Sequence, residues 1–161
     1  MKQDKFLLGI LVFIGLLVIA AVGLFFVRNQ APAYGPDDTP QVVLLNYALA
    51  LQLKDYERAY SYLQIANNEP TLEAFRQAFL NRQLDISNSA LQIGEVTDED
   101  EGQTWVFMSV TVQYAGSGPF NPGWSNSGYA HLMKQNGAWK IAELPYPYWG
   151  GDWYQPTPVY P

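Results

Sequence analysis

The sequence predicts an α+β domain that follows a single N-terminal transmembrane helix. An unbroken apolar run opens the chain, and apolar residues then recur at helical spacing in three successive segments. From Ser89 onward, apolar and polar residues alternate as they do in β-strands. Helices first and strands afterwards are typical of an α+β fold rather than of a parallel α/β sheet. We therefore expect three helices packed on a curved antiparallel sheet of about four strands.

The apolar run covers residues 6–27, which include no charged or strongly polar side chain. At about 1.5 Å per helical residue it spans roughly 33 Å, close to the hydrocarbon thickness of a bilayer. Lys2 and Lys5 precede it and Arg28 follows it. The positive-inside rule then places residues 1–5 in the cytoplasm and the C-terminal domain outside. We expect a retained single-pass anchor in the cell membrane.

A cleaved signal peptide is the alternative to an anchor. Ala31-Pro32-Ala33 has the small-x-small form of a cleavage site. The apolar run is longer than the usual signal core of about 7–15 residues, which favours the anchor. The sequence leaves both interpretations open.

The chain beyond the apolar run is acidic. The whole sequence has a formal net charge of −6, and beyond Ala33 six Lys and Arg stand against fourteen Asp and Glu, a balance of −8. Phosphate backbones would repel such a domain, so we expect no nucleic-acid partner. The absence of Cys excludes disulfides, thiolate catalysis, iron–sulfur clusters and a lipoprotein anchor.

The first helix of the domain follows a short tether. Residues 28–38 are polar, contain Pro and Gly, and predict that tether. Thr39 at the cap and Pro40 at the first helical position predict a helix that runs to about Leu53. Its predicted inward stripe consists of Leu44, Tyr47, Ala48 and Leu51, widened by Val43 and Leu45.

Two shorter helices follow a break at Lys54 and Asp55. The earlier one ends at residues 67–70, and Thr71 caps the later one, which ends near Gln83. The inward residues predicted for the pair are Tyr56, Ala59, Tyr60 and Leu63, then Leu72, Phe75 and Phe79.

The sheet is predicted from the remaining pattern. Its clearest strand turns one set of side chains to a common face: Val106, Met108, Val110, Val112 and Tyr114. Residues 115–126 are rich in Gly, Pro, Ser and Asn and predict a loop. A strand at residues 127–134, the hairpin turn Asn136-Gly137 and a strand at residues 138–144 complete the sheet. The predicted domain is therefore residues 39–144.

Two segments resemble a known family. Residues 46–63, NYALALQLKDYERAYSYL, resemble the helical start of the nuclear transport factor 2-like superfamily, in which an Asp-aromatic step separates two helices. Residues 136–144, NGAWKIAEL, resemble its last hairpin, with Gly137 in the turn. The resemblance covers roughly residues 39–144 and implies the cystatin-like cone fold. The chain is most similar to small, membrane- or lipid-anchored bacterial envelope members of unknown function.

That superfamily includes ketosteroid-isomerase-like enzymes as well as non-catalytic binding and dimerising domains, so function must be argued from a site. An enzyme of this type would need a His or carboxylate base deep in the cone. His131, the only histidine, shares a predicted strand face with Tyr129, and Glu143 could also point inward. The isomerase's catalytic Tyr and Asp have no match here. We expect no catalytic residue and treat Tyr129 and His131 as pocket candidates.

Metal and cofactor sites are not predicted. Residues 98–101 are all acidic, but they lack the spacing of an EF-hand and are typical of a solvated turn. One His and no Cys are poor ligands for zinc. We expect neither a metal ion nor a cofactor.

Two groups of aromatic residues could contact a partner. Phe120 and Trp124 lie in the predicted loop, where exposed aromatic side chains often bind. Trp149 and Trp153 belong to residues 145–161, a tail too rich in Pro to form a helix or central strand. This tail either packs back over the cone mouth or a sheet edge, or presents its aromatics to a protein or glycan.

The function expected from these features is that of a membrane-anchored, extracytoplasmic, non-catalytic module that binds a ligand or partner. A structural domain that forms homodimers through its sheet is one alternative. A small-molecule enzyme of the ketosteroid-isomerase type is the other.

Overall fold

A computed structural model of the chain describes residues 5–28, 32–102, 104–118 and 120–154, without the side chains of residues 26–28. The chain divides into two compact units, Met1–Ala33 and Tyr34–Pro161. Within the described ranges, four helices and four strands follow one another in this order: α1 Lys5–Arg28, α2 Pro40–Gln52, α3 Tyr56–Ser61, α4 Leu72–Leu80, β1 Ser89–Glu99, β2 Trp105–Gly118, β3 Asn121–Gln135 and β4 Ala138–Glu143.

The N-terminal unit contains α1. Its segment Lys5–Phe25 has a mean hydropathy of 3.0 and buries none of its side chains. The helix is therefore long and apolar enough to cross a membrane, although a signal sequence has the same length and composition. The predicted apolar helix is confirmed.

Helix α2 begins as predicted. The Thr39 side chain accepts the Val42 N–H at 3.4 Å, and Pro40 occupies the first turn, where a missing N–H costs nothing. The predicted stripe is buried except for Leu45, which is 53% exposed. At about 100° per residue, Leu45 lies opposite the buried face, and Asn46 and Ala50 take the place expected of it.

Helices α3 and α4 are shorter than predicted. The Asp55 carboxylate accepts the Arg58 N–H and caps α3. Helix α3 ends at Ser61. Leu63, beyond its end, is buried, and its backbone pairs with Ile141 of β4. In α4, Phe75 and Phe79 are buried as predicted. Leu72, in the first turn, is 37% exposed, so its predicted burial is wrong.

The four strands form one open antiparallel sheet in the order β1-β2-β3-β4. Alternate side chains of β2 point to the helices, as predicted, from Val106 to Val112. They join the buried residues of α2, α3 and α4 in a single apolar cluster. The buried members of that cluster run from Val43 to Trp153, so the second unit has a hydrophobic core of its own.

The predicted loop at residues 115–126 is wrong. Strand β2 continues to Gly118 and β3 begins at Asn121, with Ala115 opposite Gly123. The glycines that suggested a loop permit a close approach of two strands instead. A Cβ on Gly116 would lie 1.7 Å from the Asn121 carbonyl oxygen, and Gly123 has φ +87°.

Residues 145–154 of the predicted tail pack back into the domain, and residues 155–161 of that tail lie outside the described residues. Tyr148 is fully buried, and its carbonyl oxygen accepts the Tyr47 hydroxyl of α2 at 2.7 Å. Tyr154, at the end of the described chain, donates its hydroxyl to the Gln64 carbonyl oxygen at 2.6 Å. The folded domain therefore extends to Tyr154, beyond the predicted limit of residue 144.

The domain also begins earlier than predicted. The buried Asn46 side chain hydrogen-bonds to both backbone groups of Gly35 and to the Asp37 carboxylate. The Arg58 guanidinium lies 3.5 Å from the ring centroid of Tyr34. These contacts fix the start of the second unit, so the last five of the eleven residues of the predicted tether 28–38 belong to that unit. Residues 29–31 of the tether lie outside the described residues.

Candidate partner-binding surfaces

The hairpin of β2 and β3 carries no formal charge over most of its length. Residues 105–133 include no Asp, Glu, Lys or Arg, although the domain has a balance of −8. The cores of protein interfaces are depleted of charge and enriched in aromatic residues. This uncharged stretch is visible in the sequence, but the predicted loop divided it and concealed its continuity.

The end of this hairpin forms what we call the arm, residues 114–124. Phe120, near its tip, is 99% exposed, and Trp124 is 62% exposed. The Trp124 ring stacks on Tyr114 with centroids 4.0 Å apart and planes 14° apart. The Tyr114 hydroxyl in turn donates to the Tyr146 carbonyl oxygen at 3.2 Å. Trp124 is thus held in position while most of its surface stays open to solvent.

Tyr129 and His131 lie on the outer face of the sheet, which is the face opposite the core. The register pairs His131 with Phe107, and their rings stack at 4.4 Å. The neighbours that point inward are Ala130 and Leu132. The prediction that Tyr129 and His131 could line an inner pocket is therefore wrong, because the alternation of β3 assigns the opposite parity to the core.

Glu143 does not supply an inner carboxylate either. It is exposed and pairs with His131, although it shares sequence parity with the buried Trp139 and Ile141. A register shift between the pairs of His131 and Leu132 turns the strand at this point. Burial lowers the pKa of His131, and the nearby Glu143 carboxylate opposes that shift. The pair is placed at the surface rather than around an enclosed substrate.

Trp149 and Trp153 are core residues. They are 6% and 8% exposed, and their rings meet edge to face at 5.2 Å. Trp153 also contacts Phe75 and Phe79 of α4, with ring centroids 5.2 and 6.3 Å away. A partner could reach these tryptophans only after the tail had left the core, so their use as surface anchors is not supported.

The acidic turn has a structural role. The Asp100 carboxylate accepts the Thr104 hydroxyl at 2.6 Å and the Trp105 N–H at 2.9 Å. The hydrogen bond from the Thr104 side chain is the main cause that lowers the pKa of Asp100. Across the part of the chain that the structure describes, no three His, Asp or Glu side chains converge as a metal site would require.

The candidate residues therefore form three separate groups. Phe120 and Trp124 lie on the arm, Tyr129 and His131 on the outer face, and the two tail tryptophans in the core. Only the first two groups are accessible to a partner without a rearrangement of the fold.

Comparison with known proteins does not decide among functions. No protein-family model matches the sequence, and the curated proteins give no match. A solved structure with some similarity is the solution structure of a SEC-C motif containing protein from Rhodopseudomonas palustris. It is 16% identical, with a TM-score of 0.45, over 75% of this chain and 84% of that chain. Similarity at this level supports no inference about function.

Proposed function

We propose that the chain is a membrane-anchored, extracytoplasmic, non-catalytic binding module, and that the arm contacts its partner. The observation that carries this proposal is the exposure of Phe120 and Trp124 on a hairpin that has no formal charge. A domain of this acidity would be expected to cover its exposed strands with charged side chains, which oppose association. The arm instead exposes large apolar side chains, and a partner that covers it would not have to desolvate a charged group.

A protein is the partner that the arm fits best. Aromatic side chains held in place by their neighbours lose little conformational freedom on binding and are common hot spots. The stacked Trp124 meets this condition, and Phe120 offers a nearly complete side chain for insertion into a pocket. A glycan would also stack on an open tryptophan, so the experiment below distinguishes the two.

The anchor and its orientation rest on α1. The helix spans a bilayer by length, and Lys2 and Lys5 precede it, which favours a cytoplasmic N-terminus. Because the domain begins at Tyr34, only a few residues separate it from the end of α1 at Arg28. We retain the resemblance to the nuclear transport factor 2-like superfamily as part of this proposal.

The enzyme alternative has weaker support. His131 and Glu143 are the titratable side chains that the sequence offered for a base, and both lie on the outer face. A general base must reach a bound substrate, and an exposed strand face does not enclose one.

The experiment compares full-length chains in membranes of the source cell. The double variant Phe120→Ser/Trp124→Ser removes the arm's two exposed aromatic side chains, and Leu45→Ser removes an apolar side chain of α2 that is 53% exposed. After chemical crosslinking and affinity isolation, the wild type and Leu45→Ser should recover the same protein, and the double variant should not. Equal recovery by all three would reject the arm as the binding surface. Recovery of glycan without protein would reject a protein partner.

Homodimerisation through the sheet is the second candidate, and the outer face favours it. Trp105, Phe107 and His131 form a continuous aromatic row there, with ring centroids 5.5 and 4.4 Å apart. Tyr129 on the same face is 64% exposed. Sedimentation of residues 34–161 tests it, since a dimer that Tyr129→Glu dissociates and Leu45→Glu does not would support this role. A monomer at every concentration would reject it.

A further inference from the structure

A cleft lies where α2 and α4 end and the chain leads into β1. Its volume is about 520 Å³, within the range of roughly 300–1,000 Å³ that small-molecule sites occupy. Its lining includes the buried side chains of Leu51, Phe79 and Leu84. An apolar ligand body of modest size would therefore find complementary surface here. The cleft shares no lining residue with the arm.

Two of the six cations of this acidic domain line the cleft. Lys54 and Arg82 follow α2 and α4, respectively, and both are exposed. Neither side chain makes a salt bridge with another described residue. Asp85 also lines the cleft. Its carboxylate accepts the N–H and the hydroxyl of Ser87 at 2.9 and 2.5 Å, and its charge also interacts with that of Arg82. The formal charge of the lining is thus +1 in a domain of −8.

The backbone at both cations is unusual. Lys54 has φ +60° and Arg82 has φ +58°, a region that Gly and Asn occupy more readily. Each residue is the first after a helix cap, and the Lys54 N–H donates to the Leu51 carbonyl oxygen in the manner of a Schellman motif. A cation near a helix C-terminus also offsets the helix dipole. That effect alone does not require a cation at the left-handed position, since one in the last helical turn would serve equally.

We infer that this cleft binds a small amphiphilic anion, such as a medium-chain carboxylate. The anionic head would lie between Lys54 and Arg82, and the apolar body would cover Phe79 and Leu84. The cations provide charge complementarity, and the apolar lining provides the hydrophobic contribution, chiefly through Leu80, which is 47% exposed. This site is independent of the partner surface proposed above.

The test uses residues 34–161, which contain the core described above. Dodecanoate or 1-dodecanol is added below its aggregation limit, and binding is measured by calorimetry and by native mass spectrometry. Dodecanoate should bind one to one, and dodecanol should bind at least about tenfold more weakly, since only the head group differs. The double variant Lys54→Gln/Arg82→Gln should weaken dodecanoate binding about tenfold and should not affect dodecanol. Arg76→Gln, which removes an exposed arginine paired with Glu73 outside the cleft, should change neither.

A second variant separates binding from folding. Lys54→Gly removes the cation and also relieves the left-handed backbone, so it should keep or raise the melting temperature while it weakens dodecanoate binding. Unchanged dodecanoate affinity in this variant, or equal affinity of the wild type for the acid and the alcohol, would overturn the proposal. In either case Lys54 and Arg82 would act only to stabilise the C-termini of α2 and α4.

Discussion

The side-chain amide of Asn46 hydrogen-bonds to both the N–H and the carbonyl oxygen of Gly35. The Gly35 N–H donates to Asn46 Oδ1 at 2.9 Å, and Asn46 Nδ2 donates to the Gly35 carbonyl oxygen at 2.8 Å. Asn46 is 2% exposed and is the one polar residue among the buried side chains of the described chain. The start of the second unit is therefore bound to α2 at Gly35.

Substitution of Asn46 by Ala should lower the free energy of unfolding by about 1–3 kcal/mol, because the partly buried backbone groups of Gly35 lose both partners. Urea unfolding of residues 34–161 measures the loss. Asn67→Ala, at an exposed position, is the control and should change stability by less than about 0.5 kcal/mol. Equal effects of the two substitutions would show that this contact does not secure the start of the domain.

The buried Trp153 and the exposed Trp124 should differ in how much each contributes to the stability of the domain. Trp153→Ala removes a side chain that packs on Phe75 and Phe79 and should cost about 3–5 kcal/mol. Trp124→Ala removes an exposed ring and one stacking contact, and should cost about 1 kcal/mol or less. Thermal unfolding of both variants checks the difference. A comparable loss in the two would contradict the burial of the tail.

The arm should depend on one of its glycines and not on another. Gly116→Ala places a Cβ against the Asn121 carbonyl oxygen and should break the pairing of Ala115 with Gly123. Gly118→Ala is the matched control, since its Cβ would meet nothing within 4 Å. Amide hydrogen exchange should accelerate at residues 114–124 in the first variant only. Unchanged protection there would mean that the strands do not pair as described.

Acidification should weaken the domain partly through His131. Burial lowers the pKa of His131 below its usual value near 6.5, so the unfolded chain takes up a proton at a higher pH than the folded one. This contribution is complete above the unfolded pKa and is lost as pH falls through the folded pKa. Stability of the wild type should therefore fall more between pH 7.5 and 5.5 than that of His131→Gln. Parallel declines would contradict this assignment.

Local sequence signals predicted much of the fold. Thr39 and Pro40 marked the start of α2 because capping chemistry acts within one turn, and the alternation from Val106 to Val112 identified the core face of β2. The composition of residues 115–126 led to the wrong prediction of a loop, because Gly and Pro are typical both of loops and of tightly twisted hairpins.

The candidate site was less predictable because it depends on register. Both parities of β3 carry apolar residues, so only the pairing of His131 with Phe107 decides that Ala130 and Leu132 face the core. Glu143 was misplaced for a related reason, since a local register shift is not visible in the spacing. The burial of the tail tryptophans could not be predicted, because it depends on contacts with residues of α4 that are far away in the sequence.

Site-specific photocrosslinking tests the central claim most directly. A benzophenone amino acid would replace Phe120, Trp124, Tyr129 or Glu57 in the full-length chain, and irradiation would follow in membranes of the source cell. Glu57 is an exposed position on α3, away from both surfaces. We predict one discrete adduct of constant mass from positions 120 and 124 and none from position 57. Adducts of equal yield from position 57, or none from the arm, would contradict a binding role for the hairpin, and a self-adduct from position 129 alone would favour the homodimer instead.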